Sequence, residues 1–201
     1  MSSAMIADCT GLILAGGESR RMGRDKTTLE FDGQTLLQRS ARLLQGLFPQ
    51  VLVSVRRPRG DVALPQVIDE IPDAGPLAGL CAGLARTNTP WVFALAADMP
   101  FLGPDPIREL AARRVECEAV VPVVKNVPQP LAAYYAVAAL PALRAALMGI
   151  GKHSPRAVLQ GLNAVYVDEN ELGQSDAAHD FIDLDTPADL MAARLDWNVQ
   201  K

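Results

Sequence analysis

The hydrophobic positions of this chain alternate between short apolar runs and longer segments in which apolar residues recur at helical spacing. The run at 91–96, for example, is apolar on both faces, which is typical of a strand buried inside a parallel sheet. The predicted strands lie at 11–14, 51–55, 66–69, 91–96, 119–124 and 165–167. The predicted helices lie at 36–47, 77–86, 107–114, 139–148 and 187–195. Segments 131–137 and 181–184 continue the same alternation.

This alternation predicts one α/β domain over residues 1–201, because the chain has no internal repeat and no low-complexity linker. The expected architecture is a Rossmann-like three-layer sandwich, with a mostly parallel central sheet between layers of helices. Ligands of such folds bind beyond the carboxyl ends of the strands. Residues that directly follow a predicted strand are therefore candidates for a functional site.

A glycine-rich and cationic loop follows the first predicted strand. Gly16 and Gly17 have no Cβ, so the chain can take positive φ angles and bring backbone N–H groups close to phosphate oxygens. Arg20, Arg21 and Lys26 can then offset the negative charges of a triphosphate. The spacing fits neither the dinucleotide-binding Gly-x-Gly-x-x-Gly nor the P-loop. The loop therefore predicts a phosphate-binding site of another class.

Asp98 follows the predicted strand at 91–96 and precedes a proline at position 100. An aspartate in such a place is often only a turn residue. A carboxylate at the end of a central strand can also hold Mg²⁺ against phosphates, because Mg²⁺ is usually bound by one or two carboxylates plus substrate oxygens. Its expected position beside the glycine loop favours metal binding, and Mg²⁺ is the predicted cofactor.

Composition indicates which cellular compartment and which classes of partner to expect. A net charge of −4 argues against a large basic face for nucleic acid. Three widely spaced cysteines argue against a disulfide framework or a zinc site and favour a reducing compartment. No segment reaches the ~18 consecutive apolar residues of a membrane span, and the start of the chain lacks a signal-peptide pattern. We therefore expect a cytoplasmic location, with no nucleic-acid or membrane partner.

Four motifs resemble those of molybdenum cofactor guanylyltransferases. The first is Leu-Ala-Gly-Gly at 14–17, followed by Arg-Met-Gly-Arg-Asp-Lys at 21–26. The others are Gly-Pro-Leu-Ala-Gly at 75–79, Ala-Asp-Met-Pro at 97–100 and Phe-Ile-Asp-Leu-Asp-Thr-Pro at 181–187. The resemblance extends from about residue 10 to about residue 195. It implies transfer of GMP from GTP to the phosphate of the molybdenum-molybdopterin cofactor, with release of pyrophosphate.

The resemblance also implies roles for individual residues. Lys26 resembles the family's phosphate-binding lysine, and Asp98 would bind both magnesium and the nucleotide. The family holds guanine with an acidic residue before the second motif, and Asp69 or Glu70 could fill that place. Ser54 stands where the family often has an asparagine near the base. The implied nucleotide-binding residues are Leu14, Ala15, Gly16, Gly17, Lys26, Ser54, Asp69 and Asp98. The implied catalytic residues are Lys26, Asp98 and Arg21.

Two features leave more than one interpretation open. The closing motif commonly carries asparagines in the family, but this chain has Asp183 and Asp185. Asp183 could add a metal ligand or merely precede a helix, and Asp185 is expected to belong to the N-cap of that helix. For three glycines, Gly75, Gly79 and Gly83, a structural role in close helix packing and a tight helix entry is as open as a ligand role.

The alternative functions are those of enzymes with the same fold and of a module without activity. Aspartates in the closing motif bring the chain nearer to molybdenum cofactor cytidylyltransferases, although these usually open with Leu-Ala-Ala-Gly. A sugar-phosphate nucleotidyltransferase is also possible, and base preference would separate these enzymes. A non-catalytic nucleotide-binding module would bind GTP without releasing pyrophosphate. Because the acceptor is large and labile, a handover partner is expected in addition to GTP and the molybdopterin-type cofactor.

Overall fold

The strands and helices follow the apolar pattern of the sequence. The computed structural model describes residues 4–16, 26–69, 71, 74–149, 154–173 and 176–199. Strands β1 to β5 are Cys9–Leu14, Glu30–Phe31, Gln34–Thr35, Gln50–Val55 and Gln66–Ile68. Strands β6 to β10 are Trp91–Ala96, Ala119–Val124, Val127–Pro128, Ala132–Ala136 and Ala164–Asp168. Helices α1 to α7 are Leu36–Gln45, Pro76–Arg86, Pro104–Ala111, Leu140–Met148, Pro155–Leu159, Ala177–Asp180 and Pro187–Val199.

The main sheet of the described residues has the strand order β10-β7-β9-β6-β1-β4-β5, and β8 pairs with β7. Strand β1 is parallel to β4 and β6, β4 is parallel to β5, and β7 is parallel to β10. Strand β9 is antiparallel to its neighbours β6 and β7. The connection from β7 to β9 is a short hairpin through β8, which cannot provide the long crossover that a parallel pair needs. The sheet is therefore mostly parallel, as predicted.

The central strands are buried on both faces, which explains their continuous apolar runs. In β1, Ile13 packs into one core together with residues of α1 and α3. The next residue towards the amino end, Leu12, packs into the opposite core with residues of α2 and α4. Successive side chains of a strand point to opposite faces, so one strand contributes to both cores. Helices cover both faces of the sheet, which confirms the predicted three-layer sandwich.

Helix α2 approaches the sheet closely at Gly83. A Cβ on Gly83 would lie 3.0 Å from Cγ of Leu12 and closer still to both of its methyl carbons. Real Cβ atoms essentially never lie at such distances, so any other residue at position 83 would force Leu12 or the helix to shift. Of the two interpretations open for Gly83, close helix packing is the correct one.

The closing segment 181–184 forms neither a strand nor a helix. Leu184 is fully buried in a third, smaller core, where it joins Phe31 of β2, Phe101 and Leu190 of α7. Anchoring by this leucine brings the end of the chain back to the strand ends of the main sheet. The acidic residues on either side of Leu184 are thereby placed at the edge where ligands of this fold class bind.

Two expectations drawn from composition can be compared with the structure. Cys9 and Cys81 are buried and Cys117 is half-buried, and all three are free thiols, in keeping with packing roles. Across the described ranges, no helix combines the length and the apolar character needed to cross a bilayer. The cytoplasmic location stays a prediction.

Candidate active site

A pocket of about 230 Å³ lies at the carboxyl ends of β1, β4, β5 and β6. Leu14 ends β1, Ser54 is the penultimate residue of β4, Asp69 directly follows β5, and Asp98 follows β6 after one residue. The pocket thus occupies the sheet edge that the sequence predicted. Its described lining residues are Leu14, Ala15, Gly16, Lys26, Thr27, Ser54, Asp69, Gly75, Pro76, Ala96, Ala97, Asp98, Met99, Leu131, Asp183 and Asp185.

One end of this pocket, the ionic end, consists of Lys26, Asp98, Asp183 and Asp185. Nζ of Lys26 lies 2.9 Å from Oδ2 of Asp98 and 2.6 Å from Oδ1 of Asp185, and it donates a hydrogen bond to each. Lys26 is only 18% exposed, and the exposed fractions of Asp98 and Asp185 are 20% and 49%. Residues far apart in sequence therefore form one charged cluster that is still open to a ligand.

The backbone of the closing segment is fixed to the strand that carries Asp98. The N–H of Leu184 donates a hydrogen bond of 2.9 Å to the carbonyl oxygen of Asp98. Leu184 itself is fully buried, whereas Asp183 and Asp185 on either side of it line the pocket. The sequence Asp-Leu-Asp thus holds two carboxylates at the ionic end by burying the leucine between them.

The N-cap of α7 differs from the prediction for Asp185. Thr186 and Asp189 cap this helix together, because Oγ1 of Thr186 accepts from the N–H of Asp189 and the carboxylate of Asp189 accepts from the N–H of Thr186. The same carboxylate accepts from the backbone N–H of Asp185. The side chain of Asp185 is bonded to Lys26 instead, so its predicted capping role was wrong.

Burial and neighbouring charges change the pKa values of Lys26 and Asp183. Burial alone would lower the pKa of the Lys26 ammonium, but its hydrogen bonds and charge attraction to Asp185 and Asp98 outweigh this effect and raise the pKa. Burial raises the pKa of the Asp183 carboxyl, and the negative charges of Asp185 and Asp98 raise it further. Lys26 is therefore a permanent cation, while the carboxylates around it repel one another.

The carboxylates of the ionic end fit Mg²⁺ by their chemistry. Asp98, Asp183 and Asp185 face a single lysine among the described lining residues, so negative charge is in excess. No three acidic, histidine or cysteine side chains of the described chain are close enough to form a metal site by themselves. Mg²⁺ is usually held by one or two carboxylates and completes its shell with substrate oxygens and water. Asp98 and Asp185 are the residues best placed to supply these carboxylates.

The opposite end of the pocket, the serine end, consists of Ser54, Asp69 and Gly16. Oγ of Ser54 donates a hydrogen bond of 2.7 Å to Oδ1 of Asp69. Burial raises the pKa of the Asp69 carboxyl, and the Ser54 hydrogen bond and the charge of Arg56 oppose part of that rise. Asp69 therefore provides a half-buried acceptor, whose hydrogen-bond donor among the described residues is the neutral hydroxyl of Ser54.

The structure explains the glycine at position 16 differently from the sequence-based prediction. Its φ angle is not positive, but a Cβ on Gly16 would lie only 3.1 Å from Oδ2 of Asp69. The absent side chain leaves room for the Asp69 carboxylate at the end of β1. The positive φ predicted for the glycine pair is thus not present at Gly16, and Gly17 lies outside the described residues.

The glycines before and within α2 have separate roles. Gly75 has a φ of +72° and precedes Pro76, the first residue of α2, and both residues line the pocket. A backbone with this φ is strained for other residues, so Gly75 sets the entry of the chain into the helix. A Cβ on Gly79 would overlap Oγ of Ser54. Gly79 therefore packs against the serine end and does not line the pocket itself.

The structure brings together most of the residues that the sequence predicted. Leu14, Ala15, Gly16, Lys26, Ser54, Asp69 and Asp98 all line this pocket. Gly17, Arg21 and Glu70 lie outside the described residues, and Asp69 fits the predicted acidic position at the serine end. Six lining residues were not predicted as site residues, namely Thr27, Pro76, Ala96, Ala97, Met99 and Leu131. Four of them, Thr27, Pro76, Ala97 and Met99, adjoin a predicted site residue or glycine, and this adjacency was the signal that could have found them.

Comparison with known proteins identifies the family. The model for the MobA-like NTP transferase domain matches residues 11–167, a range that contains most of the strands around the pocket. The chain belongs to the MobA-like NTP transferase family. A curated relative from Natronomonas pharaonis, named "Probable molybdenum cofactor guanylyltransferase", is 35% identical over 199 residues, which cover 92% of this chain and 96% of the relative. The molybdenum cofactor guanylyltransferase of Syntrophotalea carbinolica is 34% identical over 166 residues, covering 81% and 79% of the two chains.

Two solved structures illustrate how widely the fold of this chain is shared. Molybdopterin-guanine dinucleotide biosynthesis protein A from Archaeoglobus fulgidus superposes with a TM-score of 0.83 at 26% identity, over 94% of this chain and 99% of that one. A 2-C-methyl-D-erythritol 4-phosphate cytidylyltransferase from Thermus thermophilus superposes with a TM-score of 0.68 at 17% identity, over 93% and 98%. The second likeness shows a shared fold alone, so the choice of base has to be argued from the pocket.

Proposed function

We propose that this chain transfers GMP from GTP to the phosphate of the molybdenum-molybdopterin cofactor and releases pyrophosphate. The observation that carries the proposal is the pocket, in which an ionic end around Lys26 and a carboxylate acceptor, Asp69, lie at one sheet edge. The relatives named for this activity match most of this chain and most of their own length. In bound GTP, the triphosphate would lie at the ionic end and the guanine base at the serine end.

The ionic end supports the transfer step by its charge. In that step the terminal phosphate of the acceptor forms a bond to the α-phosphorus of GTP, and the bond to the β-phosphate breaks with its electron pair leaving on pyrophosphate. A phosphate acceptor is already ionised at neutral pH, so the step needs no strong general base. Lys26 is positioned to stabilise the charge that builds on the leaving pyrophosphate. Arg21 would add a second cation, and its role stays a prediction.

Asp98 and Asp185 would hold Mg²⁺ at the ionic end. Such an ion, when bound, would neutralise charge on the triphosphate and so assist the departure of pyrophosphate. Lys26 contacts both carboxylates in the structure, and its own positive charge keeps them close together before a ligand arrives. The handover partner for the labile acceptor stays a prediction.

The serine end suits guanine better than cytosine. Guanine presents two adjacent donors, N1–H and the 2-amino group, and an ionised carboxylate can accept from both. Cytosine offers no such pair. Asp69 is the carboxylate at this end of the pocket, which is the basis for proposing GTP as the donor.

The test is an assay of the purified protein with freshly prepared molybdenum cofactor, Mg²⁺ and either GTP or CTP. The proposal predicts formation of the guanine dinucleotide and pyrophosphate in equal amounts, and no product without the acceptor. Preferential use of CTP would instead identify a cytidylyltransferase. Use of sugar phosphates as acceptors would identify a sugar-phosphate enzyme, and binding of GTP without turnover would identify a non-catalytic module.

A further inference from the structure

Ser54 is too deeply buried to be a direct ligand of the base. It is only 1% exposed although it belongs to the wall of the pocket. Its hydroxyl has a single hydrogen, and this hydrogen is donated to Oδ1 of Asp69 at 2.7 Å. The one hydrogen that Ser54 could donate to a nucleotide is therefore already used within the protein, and burial of the residue keeps its oxygen from solvent.

Helix α2 packs against Ser54 so closely that Gly79 has no room for a side chain. A Cβ on Gly79 would overlap Oγ of Ser54 and would lie 3.0 Å from Cβ of Ser54 and 3.1 Å from Cδ2 of Leu14. The hydroxyl is thus packed directly against α2 at Gly79. On the other side of Asp69, a Cβ on Gly16 would lie 3.1 Å from Oδ2. One carboxylate oxygen is held by Ser54, and the other faces the space that Gly16 leaves open.

We propose that Ser54 is a positioning residue for guanine recognition, which acts by holding the Asp69 carboxylate in the orientation that accepts from the base, with Gly79 providing the necessary space. The inference rests on the proposed guanylyltransferase function. Each carboxylate oxygen can accept two hydrogen bonds, so Oδ1 can accept from Ser54 and still accept from guanine. Without the hydroxyl, Asp69 would lose both its fixed orientation and a donor that favours its ionised form.

The experiment compares the affinity of GTP with that of ITP, which lacks the 2-amino group, for the full chain in the presence of Mg²⁺. For Ser54→Ala we expect GTP affinity to fall by about tenfold or more, because a hydrogen bond to a charged group is lost. ITP affinity should fall less, because ITP can use only one of the two acceptor positions. The ratio of GTP to ITP affinity should therefore decrease.

The pH profile gives a second readout, because general loosening of the pocket would hydrate Asp69 and lower its pKa, whereas loss of the Ser54 hydrogen bond raises it. Removal of the hydroxyl takes away a hydrogen bond that lowers the pKa of Asp69, so the pH below which GTP affinity declines should move upward. The charged side chain that acts on Asp69 within the described structure is Arg56, at the end of β4, and it is unchanged in the variant. An unshifted midpoint in Ser54→Ala would overturn the inference.

A double-mutant cycle with Asp69→Asn separates positioning from packing. If Ser54 acts through the carboxylate, Ser54→Ala should change GTP affinity by less than about twofold in the Asp69→Asn background. An equal loss in both backgrounds would overturn the inference. Ser40→Ala removes another buried serine hydroxyl, on α1 and outside the pocket lining, and is the matched control. It should leave the GTP to ITP ratio unchanged.

Two glycine variants keep the test informative if Ser54→Ala folds poorly. Gly79→Ala and Gly83→Ala each add one methyl group where α2 meets the sheet, but only Gly79 contacts Ser54. Gly79→Ala should lower the GTP to ITP ratio, and Gly83→Ala should not. Equal ratios in both would contradict the inference. Failure of the wild-type chain to bind GTP would instead contradict the proposed function, so the two failures are distinguishable.

Discussion

The two ends of the pocket stabilise their carboxylates in different ways. At the ionic end, Asp98 and Asp185 share one lysine, and a third aspartate, Asp183, also lines the pocket. At the serine end, Asp69 has a neutral hydroxyl as hydrogen-bond donor and a backbone without a side chain as its neighbour. The ionic end therefore concentrates negative charge around one cation, whereas the serine end holds one acceptor in a fixed orientation.

This difference suggests a division of labour along the bound nucleotide. Charge compensation suits a reaction in which negative charge moves onto a leaving group. A fixed, half-buried acceptor suits discrimination between bases, because a base without matching donors would leave the carboxylate unpaired. Substitutions at the ionic end should therefore lower kcat, and those at the serine end should raise KM for GTP and alter selectivity.

The largest expected effect belongs to Asp98→Ala. Removal of the carboxylate takes away both the predicted metal ligand and one partner of Lys26, so kcat should fall by about 10³-fold. Unfolding temperature should change little, because Asp98 is partly exposed and Lys26 keeps its contact with Asp185. Asp105→Ala, an exposed aspartate on α3, is the control. Near-normal turnover of Asp98→Ala would contradict the catalytic role proposed for the ionic end.

Asp69→Asn should have the next largest effect, and on a different parameter. An amide presents one oxygen and one donor group, so it can no longer accept from both N1–H and the 2-amino group of guanine. We expect KM for GTP to rise by about 10- to 100-fold, with kcat changed much less. Steady-state kinetics with GTP and with CTP measure kcat and KM for each nucleotide. A fall in kcat at unchanged KM would place Asp69 in the chemical step instead.

The affinity for GTP should also depend on pH through Asp69. Because burial raises the pKa of this carboxyl, its proton binds at a higher pH than for an ordinary aspartate. GTP affinity should therefore be full above this raised pKa and decrease by up to about tenfold per pH unit below it. The decrease should be absent in Asp69→Asn. Titrations across mildly acidic pH would detect it, and an identical profile in the variant would exclude Asp69 as its source.

Asp185→Asn should give a smaller effect, confined to the ionic end. The amide oxygen can still accept from Lys26, but one negative charge is lost beside Asp98. The Mg²⁺ concentration for half-maximal activity should rise by about five- to tenfold. Stability should change by less than about 1 kcal/mol, because Asp185 is half exposed. An unchanged Mg²⁺ requirement would assign metal binding to Asp98 alone.

Gly83→Ala should affect neither end of the pocket. Its methyl group would collide with Leu12 in the core and should lower the free energy of unfolding by about 1–3 kcal/mol. The ratio of GTP to CTP affinity should stay as in the wild type. Chemical denaturation and nucleotide titration of the same preparation measure both quantities. A loss of selectivity would show that α2 as a whole, and not the serine end, controls base preference.

The sequence predicted the fold and the strand-end residues well because both depend on local pattern. The run at 91–96 matches β6, so the position of Asp98 at the sheet edge followed directly. The contact of Asp185 with Lys26 joins residues 159 positions apart, and a local cap motif was the stronger signal there. The need for glycine at position 16 also arises from a tertiary contact, because the Asp69 carboxylate that occupies the space comes from a distant part of the sequence. The antiparallel direction of β9 results from its hairpin connection to β7, and the apolar pattern of β9 carries no information on that direction.

The most direct test of the division between the two ends is calorimetric titration of the wild-type chain with GTP and with CTP, each with and without Mg²⁺. We predict GTP binding that Mg²⁺ strengthens, and CTP binding that is weaker by about tenfold or more under the same conditions. Asp69→Asn, titrated in parallel, should bind the two nucleotides with similar affinity. Equal or tighter binding of CTP by the wild-type chain would contradict guanine recognition at the serine end.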